Sequence, residues 1–222
     1  MHDTDLRLDS SECAGHGPGD SAPIIVLGIG NVLWADEGFG VRCVEALRQR
    51  WRFGPEVTLI DGGTQGLYLI QFVQAAERLL ILDAIDYGLP PGTIQVIDDD
   101  RVPRFLGAKK MSLHQTGFQE VLMLAQLTGR YPRAVRLIGC QPEEIEDYGG
   151  SLRPRTKTAM ETALGLAVRT LGEWGAHVEE IGDGAPASTG DALSMAAYEA
   201  DRPDAEAACR LGDSRFLPAS DA

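Results

Sequence analysis

Three short runs of almost purely apolar residues constrain this chain more than anything else in it: 24–29 (IIVLGI), 57–60 (VTLI) and 79–82 (LLIL). Successive side chains of a strand point to opposite faces, so a strand with one wet face alternates apolar and polar residues. A run without alternation has no wet face and predicts a strand buried on both sides. Between the first two runs Gly40, Cys43, Val44, Leu47 and Trp51 recur at helical spacing, and Gly54-Pro55 stops the pattern. After the second run Asp61-Gly62-Gly63-Thr64 turns the chain, and Leu69, Phe72, Val73 and Ala76 mark a second helix. Further strands are expected at 93–97 and 134–138, with a loop over 98–111. Phe118, Val121, Leu122 and Ala125 mark a third helix, closed by Gly129 and Pro132. Ala163, Leu166, Ala167, Thr170, Leu171 and Trp174 mark a last one, with Gly175 just beyond it. Strands alternating with helices predict an α/β fold in three layers: a mainly parallel twisted sheet of about five strands with helices on both faces.

The 222 residues suffice for one sizeable domain, expected over 23–176. Residues 1–22 read as a disordered acidic leader, with five acids and one base, and 177–222 as an acidic, disordered or weakly helical tail, with ten acids and three bases. The formal charge of −13 therefore belongs mostly to the ends. The middle lacks the basic face that phosphate neutralisation requires, which argues against nucleic acid as a partner. No run approaches the roughly 20 apolar residues of a membrane span. The four cysteines, Cys13, Cys43, Cys140 and Cys209, form no CxxC pair, so neither a zinc ribbon nor a disulfide framework is indicated. A cytoplasmic protein is expected.

In open α/β sheets, ligands bind beyond the carboxyl ends of the strands. Four polar sites fall there: Asn31 with Asp36-Glu37 after the first strand, Asp61 after the second, Asp83 with Asp86 after the third, and His114 at the entry to the third helix. His114 is the one histidine inside the expected domain; His2 and His16 lie in the leader and His177 beyond the last helix. Asp36 is also a good N-cap, and Glu37 suits the first turn of a helix. Two carboxylates and an imidazole on one cleft would form an O, O, N donor set, suited to a divalent ion of borderline softness such as zinc or nickel. Gly28-Ile29-Gly30 is a poor dinucleotide fingerprint, because Leu33 replaces the third glycine and the following acids would repel a pyrophosphate. There is no GxSxG, HExxH or P-loop lysine.

Five segments taken together resemble the motifs of the nickel–iron (NiFe) hydrogenase maturation proteases, in the order that family shows. They are the stretch 28–40 (GIGNVLWADEGFG) with Val41-Arg42; Asp61-Gly62-Gly63-Thr64-Gln65-Gly66; Asp83-Ala84-Ile85-Asp86 with Pro91-Gly92; Ser112-Leu113-His114-Gln115 with Gly117; and Gly139-Cys140-Gln141-Pro142. The resemblance implies an endopeptidase that removes a C-terminal peptide from the precursor of the hydrogenase large subunit once nickel is in place. It puts the family's metal-binding residues on Glu37, Asp83 and His114, reading nickel that the substrate can itself supply. It leaves Asp61 a supporting or backbone-positioning role. Asp36 is the candidate catalytic general base. The family is grouped with aspartic peptidases, yet no DTG or DSG pair is present, so no two-aspartate dyad is assigned. A monomer is expected. Two rival readings use the same residues: a nickel-sensing chaperone that does not cut, and a zinc hydrolase of small amides.

Overall fold

The computed structural model describes residues 23–99, 101–103, 113–181 and 194–200, with the side chains of 113–116 outside the description. The expected leader and most of the expected loop over 98–111 lie outside it, as does the tail apart from 177–181 and 194–200. β1 (Ile24–Ile29), β3 (Val57–Gly63), β4 (Arg78–Ala84), β5 (Ile94–Asp98) and β6 (Ala134–Cys140) form one sheet in the order β3-β1-β4-β6-β5. The first four in that order run parallel, and β5 is antiparallel to β6. The expectation of a mainly parallel five-stranded sheet is met.

The unalternated strands are sandwiched as their composition requires. Ile24, Val26, Leu80 and Leu82 enter one core with Cys43, Val44 and Leu47 of α1 (Phe39–Arg50) and Met160, Ala163, Leu164 and Ala167 of the last long helix. Their strand neighbours Ile25, Leu27, Leu79 and Ile81 enter a second core on the opposite face. There they meet Val73 of α2 (Ile70–Ala75) and Phe118, Val121, Leu122 and Ala125 of α3 (Leu113–Leu127). The last long helix, α4 (Pro154–Glu173), begins on proline, which suits a first-turn position that needs no N–H partner. It ends ahead of Gly175 at φ 86°, the left-handed conformation that closes many helices.

One boundary differs from the sequence reading. The first helix does not reach Trp51. It stops at Arg50, and Trp51–Phe53 becomes β2, antiparallel to β7 (Val178–Glu180). The aromatic residues of β2 favour an extended, half-buried edge, and the partner strand lies in a part of the chain that composition alone assigned to the tail. A short helix, α5 (Met195–Ala200), also docks on the domain. The Met195 N–H donates to the Glu45 carboxylate, and the Arg42 guanidinium lies 5.6 Å from the Tyr198 ring centroid. Among the described residues, no helix is long and apolar enough to cross a membrane.

Candidate active site

β1 and β4 lie side by side, and the chain leaves them in opposite senses. From β1 it proceeds to β3 on one flank; from β4 it proceeds towards β6 and β5 on the other. Such a switch point opens a crevice at the carboxyl edge, because the two exits diverge. Glu37, half-buried, sits on one lip in the 3-10 turn Ala35–Gly38. Asp83 sits on the other, at the end of β4 and only 1% exposed. The two lips are drawn together by bare backbone. A Cβ on Gly40 would lie 2.0 Å from the Leu82 carbonyl oxygen and 2.4 Å from that of Ile29, so only glycine lets α1 start this close to the strand ends.

His114 is the second residue of α3. Three residues on, a Cβ at Gly117 would lie 3.6 Å from the Gly66 Cα, in the turn that follows β3. The helix therefore begins at the same edge of the sheet as Glu37 and Asp83. Among the described side chains, which exclude that of His114, no three His, Cys, Asp or Glu form a ready metal cluster.

Asp36 requires correction. It is wholly buried. Its Oδ2 accepts the N–H groups of Glu143 (2.8 Å) and Glu144 (3.0 Å), and its Oδ1 that of Arg153 (2.7 Å). A general base needs a lone pair facing water or substrate; this carboxylate is closed to water and turns three acceptor sites to a loop. Nor does it cap α1, whose N-cap is Gly38 with no side-chain hydrogen bond. Asp36 anchors the 141–153 loop, and its own N–H donates to the Glu144 carbonyl at 2.9 Å. The same loop meets Trp34 through an edge-on contact with Tyr148, ring centroids 5.2 Å apart, and the Gly149 N–H donates to Leu33.

Asp61 Oδ1 accepts the Gly63 N–H at 3.0 Å in the turn that ends β3. Cys43 and Cys140 are buried free thiols. Burial first, and the Asp36 carboxylate second, push Cys140 up to about 12, while burial keeps Cys43 well above its ordinary value. Neither supplies a thiolate at neutral pH. Two residues beside Asp83 were missed by sequence reasoning, Tyr87 and Gln141. Burial, followed by the charge of Asp83, raises the Tyr87 phenol above its ordinary value, so it remains protonated. The signal for Gln141 was its place in Gly139-Cys140-Gln141-Pro142, a motif whose purpose the sequence alone does not disclose.

A three-layer α/β sheet with an acid-bearing crevice at its switch point defines the class of protein. Comparison with known proteins then identifies the family. The hydrogenase maturation protease model matches residues 41–170. The hydrogenase expression/formation protein HoxM of Cupriavidus necator is 64% identical over 198 residues, covering 88% of this chain and 98% of that one. The hydrogenase 2 maturation protease of Escherichia coli is 40% identical over 153 residues, covering 68% and 92%. The solved hydrogenase maturating endopeptidase HybD from E. coli superposes with a TM-score of 0.69 at 37% identity, covering 72% of this chain and 98% of its own. The chain belongs to the hydrogenase maturation protease family, and by that membership it is a peptidase.

Proposed function

We propose that this chain removes a C-terminal peptide from the precursor of a NiFe-hydrogenase large subunit after nickel has been inserted. The observation that carries the reading is the crevice at the β1/β4 switch point, with Glu37 on one lip and Asp83 on the other, at the edge where the His114 helix begins. Two carboxylates and one imidazole are donors that suit a divalent ion of borderline softness. We treat the nickel as part of the substrate. Glu37, Asp83 and His114 read it in the precursor, and a precursor without nickel leaves them unmatched and binds weakly. Nickel so held would supply Lewis-acid polarisation of a nearby scissile carbonyl. The chain's own part is to hold the precursor in register and to direct a water onto that carbonyl from the acid-lined side. The aspartic character of such a site lies in acids that bind and orient, since Asp36 is committed to the loop. We place the reaction in the cytoplasm, carried out by a monomer.

Nickel-loaded and nickel-free precursor, incubated with wild type, Glu37→Gln, Asp83→Asn and His114→Ala and weighed intact, test this reading. A discrete C-terminal loss is expected only with nickel and wild type, with each variant slowed at least about a hundredfold. Unchanged mass in every sample would favour the chaperone. Cleavage indifferent to both nickel and the substitutions would overturn the site.

A further inference from the structure

We propose that Gln141 is a positioning residue, which with Gly139 and Tyr87 splints the chain leaving β4 to the end of β6 and so fixes the direction of the Asp83 carboxylate. The inference rests on the reading of Asp83 as a residue of the cleavage site.

Gln141 is 7% exposed, and its amide is spent on one short stretch of chain. Its Oε1 accepts the N–H groups of Tyr87 (2.7 Å) and Leu89 (3.2 Å). Its Nε2 donates to Asp86 Oδ1 (3.0 Å) and to the Pro142 carbonyl (3.4 Å). The backbone continues the splint: the Gln141 N–H donates to Thr93, the Gly92 N–H to Gln141, and the Ile85 N–H to Cys140. Asp86 Oδ1 in turn accepts the Gly88 N–H at 2.8 Å, so the carboxylate joins the tip of the loop to the amide. A side chain with two acceptor sites and two donors in one plane is needed here. Glutamate would face Asp86 with a like charge, and leucine would take from the Tyr87 and Leu89 N–H groups the acceptor they share.

Gly139 completes the device. It is the register partner of Asp83 across β4 and β6. A Cβ there would lie 1.8 Å from the Tyr87 hydroxyl oxygen, so the phenol occupies the space that a side chain opposite Asp83 would take. β4 loses its β1 partner after Leu82 but stays paired with β6 through Asp83 and Ala84, so the β6 side is the flank against which the carboxylate is set, and productive ligand geometry tolerates only small angular error. The splinted loop holds the Tyr87 phenol on that flank, over Gly139. Gly139-Cys140-Gln141-Pro142 thereby acquires a role, in which glycine makes room for the phenol and glutamine holds the loop that carries it.

The test uses the full chain with nickel-loaded precursor, at a temperature where circular dichroism shows every variant folded. Cleavage kinetics are read beside amide hydrogen exchange of Tyr87 and Leu89. Gln141→Leu is expected to lower kcat about ten- to hundredfold, to leave KM within about twofold, and to speed exchange at both amides. Gln141→Glu is expected to lower kcat as well. Adding Asp86→Asn to it removes the facing like charges and is expected to recover at least about threefold of the lost kcat. Wild-type kcat in Gln141→Leu, or a double variant no better than Gln141→Glu alone, would overturn the proposal. Asp83→Asn serves as the control for the site itself: if it cleaves like wild type, the reading of the cleavage site fails whatever Gln141 does.

Discussion

Residues 31–40 and 141–153 press against each other at the rim of the crevice, yet they are held by different physics. The first segment largely builds itself. Trp34 N–H donates to Asn31, Glu37 N–H to Trp34, Asn31 N–H back to Glu37, and the Asn31 side chain accepts the Leu33 N–H. Its main demand on the rest of the fold is steric: the bare backbone of Gly40 against Leu82 and Ile29. The second segment leans on acceptors from elsewhere. Asp36, 107 to 117 residues away, takes three of its N–H groups. Trp34 takes the Tyr148 ring, and Glu199 of α5 takes the Ser151 hydroxyl. Dependence is therefore lopsided: the loop takes three backbone acceptor contacts from Asp36, and the turn takes one in return, the Glu144 carbonyl for the Asp36 N–H.

Breaking the steric side should cost most. Gly40→Ala sets a methyl against backbone on two sides, and a loss of about 4 kcal/mol is expected in denaturant titration. Both segments should fail together, because the loop's frame goes with the helix. Cutting the bonds between the segments should cost less and should separate them. Asp36→Ala strips three N–H groups of their buried carboxylate acceptor, for about 3 kcal/mol. Amide exchange should quicken at Glu143, Glu144 and Arg153 while β1 stays protected, and Asp36→Asn, which keeps an acceptor oxygen, should lose roughly half as much. Unchanged stability with abolished cleavage would return Asp36 to the role of base.

The smallest effect concerns the far side of the loop. Burial alone would raise the Glu199 carboxyl, but hydrogen bonds from Lys157 and Ser151 hold it below its ordinary value. An acid lowered by folding stabilises the docked state above its unfolded pKa and loses that contribution as pH falls through its folded one. Docking of α5 should therefore be steady at neutral pH and weaken below about pH 4. Exchange at the Met195 amide would follow it, and Glu199→Gln should flatten the profile.

Much of the fold was legible because its determinants are short in range. Apolar runs without alternation showed which strands are buried on both faces. The strand ends of that pattern carried four polar sites, and the family resemblance pointed to Glu37, Asp83 and His114 among them. Asp36 and Glu37 could not be told apart in this way, since adjacent acids at a turn carry the same local preference for capping. What separated them was a loop more than a hundred residues downstream, whose N–H groups claim the Asp36 carboxylate. The β2–β7 ribbon was hidden for the same reason, its partner strands lying 127 residues apart at Arg52 and Glu179. The layers, the parallel core and the sheet edge where Glu37 and Asp83 lie could be read from the residues alone, because periodicity and glycine act on near neighbours. The commitment of Asp36 to backbone, and the reason a glutamine stands after Cys140, emerged with the folded chain, because hydrogen-bond acceptors are matched across space and no window of sequence contains both partners.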